Sequence, residues 1–193
     1  MAGLDPNRDF LPVNIAVLTV SDTREIATDR SGQTLIDRIE AAGHRAIARE
    51  IVPDDVEAIV RQAEIWIARP EIDAIVATGG TGLTGRDVTP EAFHSLYDKA
   101  IPGFGEQFRA LSFQRIGTAA MHSRATAGVA RGTYLFAIPG STGACRDAWD
   151  DILQAQFDNR YRPCNLVELM PRLQEHLQGQ SPVSTPIETQ GET

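Results

Sequence analysis

Apolar and polar positions divide the chain into short apolar runs and amphipathic stretches. Val13-Asn14-Ile15-Ala16-Val17-Leu18-Thr19-Val20 reads as a buried strand, closed by Ser21-Asp22-Thr23. After Asp29-Arg30-Ser31-Gly32, residues Leu35, Ile36 and Ile39 share a helical face, and Gly43 stops that helix. A second strand runs from Ala46 to Val52 and ends at Pro53-Asp54-Asp55. Val56 to Ala68 follows as an amphipathic helix, with Ile59, Val60, Ala63, Trp66 and Ile67 on its apolar side. Asp73 to Thr78 is a third strand. Pro90 to Leu96 and Phe104 to Leu111 read as helices, the latter introduced by Pro102-Gly103. Ser123 to Val129 reads as a helical turn, Tyr134 to Ile138 as a strand and Ala144 to Phe157 as a helix. Leu166 to Leu173 closes the pattern.

Strand and helix in alternation predict an α/β domain with right-handed crossovers and a mainly parallel sheet. The 193 residues suit one domain with an ordinary core. We expect a loose N-terminal tail over 1–11, a single domain over 12–173 and a disordered C-terminal tail over 174–193. The last segment is polar and carries Pro, Ser, Gly and Thr.

Composition narrows the function classes. The 42% hydrophobic and 23% charged fractions are those of a soluble globular protein. A formal net charge of −8 and the lack of any Lys/Arg-rich run disfavour nucleic acid, which is held largely by basic side chains. No apolar run approaches the roughly 20 residues of a membrane span, and Met1 to Leu11 has no signal-peptide core. Cys145 and Cys164 lie outside any C-x-x-C or zinc spacing and read as reduced thiols. The expectation is a cytoplasmic protein.

In parallel α/β sheets, ligands sit beyond the carboxyl ends of the strands. Four loops leave such ends here: Ser21-Asp22-Thr23, Pro53-Asp54-Asp55, Thr78-Gly79-Gly80-Thr81-Gly82 and Pro139-Gly140-Ser141-Thr142-Gly143. Glycines let backbone N–H groups approach an anion, so the third loop points to phosphate. It is neither G-x-x-x-x-G-K-[ST] nor G-x-G-x-x-G. Asp54 and Asp87 could face one ligand and share a divalent cation such as Mg2+, with phosphate oxygens completing its shell. Asp54 and Asp55 compete for that role and for capping the next helix, and spacing does not separate them. Asp87 could equally cap the helix near Pro90, and Ser141 or Thr142 could cap the helix that follows. Glu106 reads as a solvated first-turn carboxylate, and His44, His94, His122 and His176 make no metal-ligand spacing.

Several motifs in order carry a resemblance that spans about Val13 to Leu173. Thr78-Gly79-Gly80-Thr81-Gly82, then Arg86-Asp87-Val88-Thr89-Pro90-Glu91 and Pro102-Gly103-Phe104-Gly105-Glu106, resemble the MoaB/MogA family of molybdenum cofactor biosynthesis proteins, related to molybdopterin adenylyltransferase. Leu111-Ser112-Phe113, Ser123-Arg124-Ala125, Ile138-Pro139-Gly140-Ser141-Thr142 and Arg162-Pro163-Cys164-Asn165 look like its MoaB branch. The resemblance implies a three-layer α/β/α domain of the molybdopterin-binding type, assembled as a homotrimer or homohexamer. It also implies molybdopterin and ATP as substrates, Mg2+ as cofactor, and adenylyl transfer with release of pyrophosphate. Carried over, Asp54 and Asp87 become the catalytic and metal-holding carboxylates. Thr78, Gly79, Gly80, Thr81, Gly82, Ser123, Pro139, Gly140, Ser141 and Thr142 become the ligand-binding set. The MoaB branch also includes members that keep the fold without adenylyl transfer, so a protein that only binds the pterin is the alternative.

Overall fold

The computed structural model describes residues 3–175. The apolar runs pair into a six-stranded sheet because the central ones, buried on both faces, cannot leave their backbone N–H and C=O groups unmatched. In chain order the strands are β1 (Gly3–Leu4), β2 (Asn14–Val20), β3 (Arg45–Val52), β4 (Ala74–Thr78), β5 (Lys99–Ala100), β6 (Thr126–Ala130), β7 (Thr133–Ile138) and β8 (Tyr161–Arg162). The main sheet has the order β3-β2-β4-β7-β6-β5. Its first four strands are mutually parallel, β6 pairs antiparallel with β7, and β5 pairs antiparallel with β6 at the edge.

The helices are α1 (Arg30–Ala41), α2 (Val56–Ile67), α3 (Thr89–His94), α4 (Pro102–Ile116), α5 (Thr142–Ala148) and α6 (Gln154–Phe157), with a π turn over Trp149–Leu153 joining the last two. Successive residues of β2 feed opposite sides of the sheet. Ile15 and Val17 join Leu35, Phe108, Phe136, Trp149 and Phe157 in one core. Ala16, Leu18 and Val20 join Ile59, Trp66, Ile75 and Phe93 in the other. The architecture is therefore three layers, α/β/α.

Helix ends explain two of the sequence ambiguities. Asp55 caps α2 by accepting from Ala58 N–H at 2.9 Å, which leaves Asp54 uncommitted to the cap. The N-cap of α3 is Val88, with no side-chain cap bond, so Asp87 does not cap it. Gly43, at φ +87°, ends α1 as the sequence predicts.

Three expectations change. The segment 123–129 is not a helical turn. A 3-10 turn spans Gly117–His122, and Thr126–Ala130 is a strand pairing antiparallel with β7. Its Ala- and Gly-rich composition hides the strand, because Gly128 lets the Tyr97 ring lie where a Cβ would meet it at 2.4 Å. The helix expected over 104–111 extends over Pro102–Ile116, with Pro102 at its start. The N-terminal residues are docked instead of loose. Gly3–Leu4 pair with Tyr161–Arg162, Leu11 N–H donates to Asn159 Oδ1 at 2.9 Å, and Phe10 packs on His44 with centroids 5.0 Å apart. The expected C-terminal tail lies, beyond Glu175, outside the described residues.

Candidate active site

The sequence changes direction across the sheet between β2 and β4: β2 is followed by β3 on one side and, through α2, by β4 on the other. Such a switch point leaves a crevice at the carboxyl ends of the strands. A cleft of about 710 Å3 opens there. Its wall includes Val20 and Ser21 from the end of β2, Asp54 after β3, Gly79 to Gly82 after β4, and Pro139 to Ser141 after β7. All four loops singled out in the sequence converge on it.

Close packing explains the glycine composition. Gly79 has φ +109°, and a Cβ there would lie 2.2 Å from the Val20 carbonyl oxygen. Gly140 lies so close that its own Cβ would meet Gly79 Cα at 3.1 Å. Thr89 ties the loop down, its hydroxyl donating to Gly79 O at 2.8 Å and its N–H to Gly80 O at 3.0 Å. Arg124 fastens the far side. Its backbone N–H donates to Thr81 O at 3.0 Å, Nε to Gly82 O at 2.7 Å and Nη2 to Asp87 O at 2.5 Å, with Glu91 closing the ion pair.

Asp54 and Asp87 both line the cleft. Burial raises the Asp54 pKa, the charges of Asp22 and Asp87 raise it further, and Arg86 only partly offsets them. The two carboxylates therefore sense one another's charge. Burial also pushes Asp87 up, but the Thr84 hydroxyl and N–H, the Gly82 N–H and the Arg124 charge outweigh it and hold the carboxyl below its usual range. The Thr84 hydroxyl lies 2.6 Å and its N–H 2.8 Å from Asp87 Oδ2. Asp87 is thus oriented and ionised at neutral pH.

The rest of the expected set divides. Gly79, Gly80, Thr81, Gly82, Ser123, Pro139, Gly140 and Ser141 line the cleft. Ser141 is at the same time the N-cap of α5, accepting from Ala144 N–H at 3.1 Å. Thr78 and Thr142 are not part of the lining. The Thr78 side chain is buried behind the loop, its hydroxyl donating to Pro139 O at 3.2 Å and lying 3.2 Å from Cys145 Sγ. Thr142 is the first residue of α5. Burial pushes the Cys145 thiol up to about 11, which removes it from nucleophilic chemistry at neutral pH.

Sequence reasoning missed Arg24, Arg115, His122 and Asp147, which also line the cleft. Arg24 sits four residues past the end of a recognised strand, a visible but weak signal. The others reach the site through α4, the turn after it and α5, which no spacing rule links to the glycine loop.

Comparison with known proteins agrees with this geometry. Residues 16–159 match the family described as "Probable molybdopterin binding domain". The molybdenum cofactor biosynthesis protein B of Escherichia coli (strain K12) is 49% identical over 157 residues, spanning 81% of this chain and 92% of that protein. The chain belongs to this family. Its Bacillus subtilis (strain 168) relative of the same name is 46% identical over 142 residues, spanning 73% of this chain and 84% of the relative. A crystal structure of molybdenum cofactor biosynthesis protein B superposes with a TM-score of 0.79 at 37% identity, covering 87% of this chain and 99% of the other. The glycine loop and both aspartates fall inside the family match.

Among the described residues, no group of three or more His, Cys, Asp or Glu side chains is arranged to hold a metal ion. Asp54 and Asp87, both on the cleft wall, are the donor type and number that Mg2+ takes from protein when water and substrate phosphates complete its shell. Burial is the main cause of the raised Asp54 pKa, with the charges of Asp22 and Asp87 adding to it. No helix among the described residues is long and apolar enough to cross a membrane.

Proposed function

We propose that this protein binds molybdopterin in the cleft and adenylylates its terminal phosphate with ATP and Mg2+, releasing pyrophosphate. The observation that carries the reading is the meeting of Asp54 and Asp87 on one cleft walled by two glycine-containing loops. It is supported by the likeness to curated molybdenum cofactor biosynthesis proteins over most of the chain. In the reaction an oxygen of the pterin phosphate bonds to the α-phosphorus of ATP as the bond to the pyrophosphate oxygen breaks. Joining two anions in this way requires charge neutralisation and alignment more than covalent help from the protein.

Asp54 and Asp87 would hold Mg2+, which when bound neutralises phosphate charge and orients the oxygens it touches. The backbone of the glycine loop lets phosphate approach without a side chain in the way. Thr84 and Arg124 keep Asp87 ionised and aimed, so its orientation is set before substrate arrives. On the same reading the protein acts in the cytoplasm as a homotrimer or homohexamer, which light scattering at assay concentration measures directly.

The test is turnover by purified full chain with molybdopterin, ATP and Mg2+, scored as adenylylated pterin. Asp87→Asn and Asp54→Asn keep side-chain size and are expected to lower the rate by about 100-fold or more while the fold persists. Pterin binding with no product from the unaltered protein would establish the binding-only alternative instead.

A further inference from the structure

The arginines at the cleft and its rim differ in how their charge is met. Arg115 lies between Asp147 and Asp151, with Asp151 Oδ2 at 2.7 Å. Arg124 is paired with Glu91 and Arg86 with Asp22. Arg24 is different. Its near carboxylate is Asp29 Oδ1 at 3.8 Å, and Asp29, itself buried, is already paired with Arg49 at 3.0 Å. Asp29 also accepts from the Thr19 hydroxyl at 2.6 Å and the Gly32 N–H at 2.9 Å. One carboxylate thus serves two guanidinium groups, and of the two it is Arg24 that lines the cleft.

Arg24 is also held in place. Nη1 donates to Ser31 Oγ, and Nη2 donates to the Gly140 carbonyl at 3.0 Å. Ser31 is buried and bonds to Asp29, so the anchor sits in a fixed polar network. The side chain keeps 34% of its surface open, and most of its N–H groups are uncommitted. A planar, fixed guanidinium that shares its carboxylate with Arg49, set beside a glycine loop, is suited to phosphoryl oxygens.

We infer that Arg24 contacts substrate: it binds phosphoryl oxygens of the anion held against the loops at Gly79–Gly82 and Pro139–Ser141. This rests on reading the cleft as a phosphate site, and deepens that reading by naming its cation. Because Arg24 also holds Gly140 O, the same side chain fixes one wall of the site it fills.

The full chain, Arg24→Gln and Arg24→Lys are titrated with inorganic pyrophosphate and Mg2+ by calorimetry, over a range of salt. Arg24→Gln is expected to weaken binding tenfold or more and to flatten its salt dependence, because a screened charge is gone. Arg24→Lys recovers part of the affinity and the salt dependence, with the loss of the two-pronged geometry. Equal affinity and equal salt dependence in Arg24→Gln would overturn the assignment, as would an unaltered protein that does not bind pyrophosphate. If Arg24→Gln does not fold, the lysine variant decides, since unchanged affinity there with the fork removed also overturns it. Pyrophosphate binding that depends on Arg24, without adenylylated product from the unaltered protein, would keep this inference and remove the transfer reading. In turnover, a rise in KM for ATP alone assigns the contact to the nucleotide, and a rise for molybdopterin alone assigns it to the pterin phosphate.

Discussion

His44 shows how a single side chain carries both packing and pH dependence. It is buried, with 5% of its surface exposed, and Nδ1 accepts from Val13 N–H at 3.1 Å among the rings of Phe10, Trp149 and Phe157. Burial pushes the imidazole down from 6.5 to about 4, against a smaller upward pull from Asp158. Below pH 6.5 the unfolded chain takes up a proton that the folded chain refuses until about pH 4. Stability is therefore full above that range and falls as pH drops through it, by up to about 3 kcal/mol. Denaturant midpoints between pH 7 and 4 check this. His44→Phe should lose the Val13 bond at every pH and show a flatter profile across the window. A profile as steep as that of the unaltered protein would assign the acid sensitivity elsewhere.

At the scale of elements, the loop after β4 is governed by backbone clearance. Gly79 takes a φ that other residues rarely adopt, with the Val20 carbonyl in the path of any side chain, whereas a Cβ on Gly85 would meet nothing within 4 Å. Gly79→Ala is expected to cost about 2 kcal/mol or more and to abolish ligand binding, while Gly85→Ala stays within about 0.5 kcal/mol. Thermal unfolding and pyrophosphate titration of the pair measure the difference. Removing Arg124 attacks the same loop from the other side. Arg124→Ala frees the carbonyls of Gly82 and Asp87, so ligand affinity should fall further than stability does. A drop in melting temperature with unchanged affinity would show that the loop holds its shape without this residue.

Across the whole molecule, the N-terminal segment closes one end of the core. Asn159 accepts from Leu11 N–H and donates to Asp9 O at 2.9 Å, while Arg160 lies over the Phe10 ring at 5.1 Å. Deleting residues 1–11 should lower stability by about 2 kcal/mol. It should also raise the His44 pKa towards 6.5, because water reaches the ring, so the shortened chain loses less stability on acidification. Comparing the pH profiles of the two chains separates this from simple loss of contact.

The sequence by itself determined the α/β class, the succession along the chain of most strands and helices, and the rim on which the chemistry gathers. Those follow from local rules: strand periodicity, helix stops and the placement of ligands at strand ends. It also picked out the glycine loop and both aspartates, because a change from β-branched residues to glycines is visible in one dimension. Only the tertiary structure decided between Asp54 and Asp55, since the choice depends on which carboxylate reaches Ala58 N–H. It moved Thr78 from the cleft to the buried side of its loop, because the last side chain of β4 faces Cys145 and Pro139. It turned 126–130 into a strand, where packing of Tyr97 on Gly128 overrides helix propensity. It brought in Arg24, a loop residue that shares one buried carboxylate with Arg49 of β3. Contacts between residues far apart in the chain leave no periodic trace, and only folding reveals them.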